Sequence, residues 1–205
     1  MKHLKINTTI TTLFFFLGII CFVSSPTVTH AQEKSLPYRQ LPDAPEAYSA
    51  GAVASRMVDG LGFRFYWATE GLRSEDLAFK PGKDARTSRE TLEHIYEMSF
   101  MIVNATTGTV NNEQKLDLSF DELRRKTLEN LKSASDNLRT SSDRALKDYA
   151  AKFKRGDQTV ERPFWNMISG PIEDCVWHVG QIVTFRRSSG NPLSDKINFF
   201  TGTVN

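Results

Sequence analysis

Two tetrapeptides constrain this chain more than any other feature: Thr87-Ser88-Arg89-Glu90 and Ser119-Phe120-Asp121-Glu122. Both have the form Ser/Thr-x-x-Glu. The leading hydroxyl can satisfy a backbone N–H of the first helical turn, and the glutamate can reach back to the leading residue's own N–H. Apolar residues return at helical spacing behind each box. After Ser119 they are Phe120, Leu123, Leu128, Leu131, Ala134 and Leu138; after Thr87 the run TLEHIYEMSFMIVNA continues to about Thr106, where Gly108 can end it. A third pattern, EAYSAGAVASRMVDGLGFRFYWATEGL, ends near Leu72, and a fourth runs from Phe164 to about Ser188 before Ser189-Gly190-Asn191-Pro192. Gly170-Pro171 interrupts the fourth and predicts a kink or a fresh helix start. A shorter helix is expected over DRALKDYAAKFKRG, and no alternating strand pattern stands out between the helices. The expected fold is therefore all-α, an up-and-down four-helix bundle over residues 45–205 that ends in an irregular tail, KINFFTGTVN, packed across one end.

The N-terminus reads differently. Residues 1–31 carry a basic start (Lys2, His3, Lys5), an apolar centre from Leu13 to Val23 and a cleavage-like Thr-His-Ala ending at Ala31, the pattern of a cleavable signal peptide. The apolar centre holds about eleven residues against the roughly twenty needed to cross a bilayer. Ile20 before Cys21 argues against lipid attachment. The expected product is exported, periplasmic or secreted, and free of the membrane once cleaved. Residues 32–44, rich in proline and charge, read as a lead-in to the domain.

Of 26 lysines and arginines, Lys2 and Lys5 leave with the signal, so 24 basic residues face 24 acidic ones. A chain so balanced, with only short mixed-sign runs, lacks the basic stripe of a nucleic-acid binder. Residues 32–205 suffice for one core and are few for two, so one domain is expected. Cys175 is the only thiol beyond the signal, which excludes an internal disulfide there; it reads as a small buried core residue.

The chemistry concentrates in DCVWHVGQIVTFRR, Asp174 to Arg187. At 100° per residue, Ile172, Cys175, Val176, Val179, Ile182 and Val183 form an apolar arc, and Glu173, Gly180, Thr184 and Ser188 face solvent. Asp174, His178 and Gln181 share a third sector with Phe185. Ligand-type side chains at i and i+4 stand one turn apart and can grip one ion. His94 is the only other histidine beyond the signal; it falls with Met98, Met101 and Ala105 on the inward flank of its helix, while Glu93, Glu97 and Asn104 mark the exposed stripe. His94, Asp174 and His178 thus form a candidate two-histidine, one-carboxylate metal set with open positions for water or substrate. The same residues also suit a metal-free arrangement, with Asp174 and His178 as an internal ion pair and His94 as a core histidine. Tyr66, Trp67, Trp165, Met98 and Met101 read as core. Gly180 reads as a close-packing position, and Arg186 and Arg187 as complements to the dipole at their helix's own C-terminus.

Taken together, a histidine midway along the second long helix and the H-x-x-x-H-x-G-Q pattern on the last, read here as Asp174-x-x-x-His178-x-Gly180-Gln181, resemble the DinB/YfiT-like superfamily of metal-dependent helical bundles. The resemblance spans LRSEDLAFKPGKDARTSRETLEHI and FWNMISGPIEDCVWHVGQIVTFRRSSGNP. It implies a four-helix bundle holding a divalent ion, zinc or nickel, through three histidines, with hydrolysis or group transfer as the chemistry. His94 and His178 match two of those ligands, Asp174 stands where the third histidine belongs, and Gln181 is the implied support behind a ligand. The expected function is a metal-dependent hydrolase or transferase acting on a small-molecule substrate. The opposing expectation is a metal-free binding or structural bundle that has lost the triad, and a neutral bundle of this size can also pair through a helix face as a homodimer.

Overall fold

The computed structural model describes residues 35–112 and 117–205. The expected signal segment, residues 1–31, lies outside the described residues. In chain order the elements are α1 (Ala50–Thr69), α2 (Ser74–Ala78), α3 (Ser88–Thr107), β1 (Val110–Asn111), α4 (Phe120–Arg139), α5 (Asp143–Asp148), β2 (Ala150–Arg155), β3 (Gln158–Pro163), α6 (Trp165–Met167), a π-helical turn (Ile168–Ile172), α7 (Glu173–Ser188), β4 (Ile197–Asn198) and β5 (Thr203–Val204).

The capping boxes form as their chemistry requires. Thr87 and Ser119 each accept from the backbone N–H three residues on, and Glu90 and Glu122 each bond back to the cap N–H. Gly108, at φ 70°, closes α3 in the left-handed conformation that glycine adopts without steric cost. In α4 the residues Leu123, Leu128, Leu131, Ala134 and Leu138 are fully buried, and they meet Val58, Leu61 and Phe65 of α1 and Leu92, Ile95 and Ile102 of α3 in one core.

The order of the helices differs from the expected up-and-down meander. Arg124 reaches Thr69 while Ser135 reaches Asp59, so α1 and α4 are antiparallel. Asn130 bonds Ser99 and Asn137 bonds Thr106, so α3 and α4 run parallel. Cys175 lies against Ile95, and Phe185 against Phe79 ahead of α3, which makes α7 antiparallel to α3. The topology is up-down-down-up. Helical periodicity fixes a helix's buried face and says nothing of its direction. Because α3 and α4 run parallel, α4 begins beside the start of α3, where Arg89 Nη2 donates to the Leu118 carbonyl.

Strands are present too: among the described residues the fold is mainly helical with two small sheets. The helix expected through Gly156 ends at Asp148, and β2 turns through Gly156-Asp157 into β3, pairing from Ala150–Pro163 to Arg155–Gln158. Gly156 has φ 60°, and a two-residue Gly-Asp loop is a hairpin signal that outweighs the helical spacing of the preceding residues. Parallel pairing with β1 completes a three-stranded sheet at the end of the bundle where α3 stops. The tail is likewise a short hairpin of β4 and β5 in place of irregular chain, and Phe199 sets its ring edge-on to Phe63 at 5.7 Å.

The lead-in is docked by Tyr38, whose ring is buried and whose hydroxyl donates to Asp59 at 3.1 Å; Ser135 and Arg139 bond the same carboxylate at 2.5 and 2.6 Å. Tyr38 itself has φ 72°, a conformation costly for a bulky residue and held here by its buried ring. The ring lies on Gly62, where an added Cβ would stand 2.5 Å from two ring carbons. Gly62→Ala is therefore expected to lower stability by about 1–3 kcal/mol, the usual result of overpacking a filled site. Denaturant unfolding followed by circular dichroism measures it.

Candidate metal centre

The centre lies on the seam between α3 and α7. Pro171 lacks a backbone donor, and Gly170, at φ −107° and ψ −107°, breaks the helical path, so α7 starts afresh at Glu173. Asp174 then falls in the first turn of α7, where the helix dipole favours a carboxylate. His178 is one turn on, above it. From the facing helix, His94 reaches the same point because α3 and α7 run antiparallel and Cys175 and Ile95 pack fully buried just beneath.

One ligand-type atom from each of His94, Asp174 and His178 lies within 4.8 Å of the other two. His94 Nε2 is 3.7 Å from Asp174 Oδ2, His178 Nε2 is 3.5 Å from Asp174 Oδ1, and the rings stand edge to face with centroids 5.0 Å apart. The side chains are 29%, 38% and 14% exposed for His94, Asp174 and His178, so solvent reaches the site while the rings remain partly packed. Those separations exceed ordinary hydrogen bonds of about 2.7–3.2 Å, while Asp174 and His178 stand at ion-pair distance.

Gln181 stands behind His178: its Oε1 lies 2.8 Å from Nδ1. With the amide oxygen accepting, Nδ1 donates to it and Nε2 faces Asp174. For His94 the group behind the ring is Glu97, with Oε2 3.7 Å from Nδ1. Burial is the main cause that lowers the His94 pKa below the ordinary histidine value; Arg86 and His178 add to it, and Asp174 and Glu97 oppose it. The balance of these causes favours the neutral ring.

The donor types fit a divalent transition metal. Two imidazoles and one carboxylate on one side of a point leave further positions open, and zinc, nickel and iron all accept such a set. Around an ion with bonds of about 2.0–2.2 Å, tetrahedral ligands stand roughly 3.3–3.5 Å apart. The contacts of Asp174 with the two rings are within a few tenths of an ångström of that spacing.

The sequence pattern did not mark every neighbour. Glu97, on the exposed stripe by its spacing, is 40% exposed and borders the His94 ring; the signal present in the sequence is the i,i+3 spacing His94-x-x-Glu97. Val176 is 41% exposed where the arc placed it inside, and Trp165 is 78% exposed where a core role was expected. Gly180 faces open space, with nothing near an added Cβ, so it has no close-packing role. Arg186 is buried and caps α1 in place of its own helix: Nη1 donates to the carbonyls of Trp67, Ala68 and Glu70, which is possible because α1 and α7 end side by side.

Comparison of the sequence with family models gives no match, and comparison with curated proteins gives none either. Among solved structures, the fold is similar to the crystal structure of a DinB-like protein, YjoA, from Bacillus subtilis. The TM-score is 0.51 at 13% sequence identity, over 68% of this chain and 96% of that one. The resemblance read from the two motifs thus holds at the level of architecture, and the fold of this chain is DinB-like.

Proposed function

We propose that this chain is an exported, DinB-like metal-dependent hydrolase or group transferase acting on a small molecule, with His94, Asp174 and His178 as ligands of one divalent ion, zinc or nickel. The observation that carries the proposal is the joint approach of two imidazole Nε2 atoms to one carboxylate at distances too long for hydrogen bonding. Gln181 supports it by turning the His178 lone pair inward.

Bound there, such an ion lowers the pKa of a coordinated water or thiol, or polarises a substrate carbonyl. The remaining work falls to the chain. Asp174 supplies a carboxylate between the two rings, and His94 and His178 hold their Nε2 atoms toward it. Export rests on residues 1–31 and balanced charge argues against nucleic acid as partner; both belong to the same reading.

The test is the metal content of the full chain expressed with its own N-terminus and purified without a histidine tag. About one equivalent of divalent metal per chain, on a product whose intact mass starts at Gln32, is the expected result. Absence of metal after incubation with zinc and with nickel favours the metal-free binding module.

A further inference from the structure

The two histidines of the centre come from different helices, yet each is followed three residues later by an oxygen acceptor. The tetrapeptides are His94-Ile95-Tyr96-Glu97 and His178-Val179-Gly180-Gln181. In a helix, i and i+3 lie on one face about a turn apart, so each acceptor arrives behind the ring of its own histidine. The structure carries this through: Gln181 Oε1 is 2.8 Å from His178 Nδ1, and Glu97 Oε2 is 3.7 Å from His94 Nδ1, while both Nε2 atoms point at Asp174.

We propose that Glu97 is a positioning residue for His94, holding its ring with the proton on Nδ1 and the Nε2 lone pair toward Asp174, as Gln181 does for His178. The inference rests on the ligand set proposed above. Free imidazole side chains choose between two tautomers, and a ring with the wrong one offers an N–H where a lone pair is needed. An acceptor fixed behind each ring removes that choice before any ion arrives. Glu97 also brings a second carboxylate beside the centre, next to that of Asp174. At 3.7 Å it closes to a hydrogen bond by a side-chain rotation, and its 40% exposure leaves room for that movement.

The experiment reads both ring and ion. In metal-free protein, long-range proton–nitrogen correlation spectra of the imidazoles report which nitrogen carries the proton. The wild type is expected to show His94 protonated at Nδ1, Glu97→Ala to shift it toward Nε2, and Glu97→Gln, which retains an acceptor, to stay close to wild type. Zinc affinity by competition with a chromogenic chelator is expected to fall 10- to 100-fold in Glu97→Ala, the usual effect of removing a group behind a ligating histidine. Glu93→Ala, whose carboxylate instead pairs with Arg89, serves as the helix-surface control. An unchanged His94 tautomer together with unchanged zinc affinity in Glu97→Ala overturns the inference, and so does equal loss in Glu97→Gln and Glu93→Ala. If the tautomer shifts as expected but no variant, wild type included, binds zinc, the role of Glu97 stands and the proposed metal function falls.

Discussion

Alanine at His94 or at His178 is expected to weaken zinc binding by about 10²–10³-fold while leaving the fold intact. Complete zinc sites in small peptides are worth roughly 10–16 kcal/mol over four ligands, or about 2.5–4 kcal/mol for each. At 1.4 kcal/mol per tenfold, that is two to three orders of magnitude. Asp174→Ala should act in the same direction, since it removes the group both rings share. All three side chains are partly exposed and lie at the edge of the core, so their truncation leaves no large cavity. Chelator competition measures the affinity, and circular dichroism should show unchanged helix content. Equal affinity in the wild type and all three variants would place any bound zinc elsewhere.

Asp76→Ala is expected to be the most destabilising single change at the α2 end of the bundle, by about 3 kcal/mol at neutral pH. The Asp76 carboxylate is fully buried and receives the Arg73 backbone N–H, Arg73 Nε and Nη2, Ser189 Oγ and Asn191 Nδ2. It thereby ties α2 to the chain leaving α7, beside the capping of α1 by Arg186. Breaking a buried charge pair costs about 3–5 kcal/mol when the remaining charge is stranded; Arg73 is half-exposed and can rehydrate, so the lower end applies.

The same contacts give the effect a pH dependence. The Arg73 guanidinium, helped by Ser189, the Arg73 N–H and Asn191 and opposed by burial, holds the Asp76 carboxyl well below the usual carboxylate range. Because the folded pKa is the lower one, the unfolded chain binds the proton more readily. The stabilisation is present above the unfolded value of about 3.9 and is lost as pH falls below it. Denaturant unfolding should therefore show a wild-type advantage at pH 7 that shrinks by pH 3. A constant difference across that range would mean that Asp76 acts through packing alone.

What the sequence made legible follows from the range of the forces involved. The caps at Thr87 and Ser119 and the stop at Gly108 are local chemistry, decided within one turn, and they appear where the residues place them. The inward flank carrying His94 and the one-turn spacing of Asp174 and His178 follow from helical period, and the two meet on the α3/α7 seam. Helix direction is set by the length and path of the connections, which periodicity does not encode, so the parallel pairing of α3 with α4 is not legible in the sequence. The β2–β3 hairpin was hidden because AAKFKR suits a helix by spacing, while the decisive signal, Gly156-Asp157, lies at its end. Glu97 escaped notice for a related reason. A residue at the border of a helix's exposed stripe can be mostly solvated and still touch a half-buried ring.

The central claim is that two imidazoles and a carboxylate from separate helices share one ion. The most direct measurement is anomalous diffraction at the zinc edge from crystals of the untagged protein grown with zinc. The account predicts one strong peak within about 2.0–2.2 Å of His94 Nε2, His178 Nε2 and an Asp174 oxygen together. A map with well-ordered rings and no peak between them, or with zinc bound only at surface residues elsewhere, would contradict it.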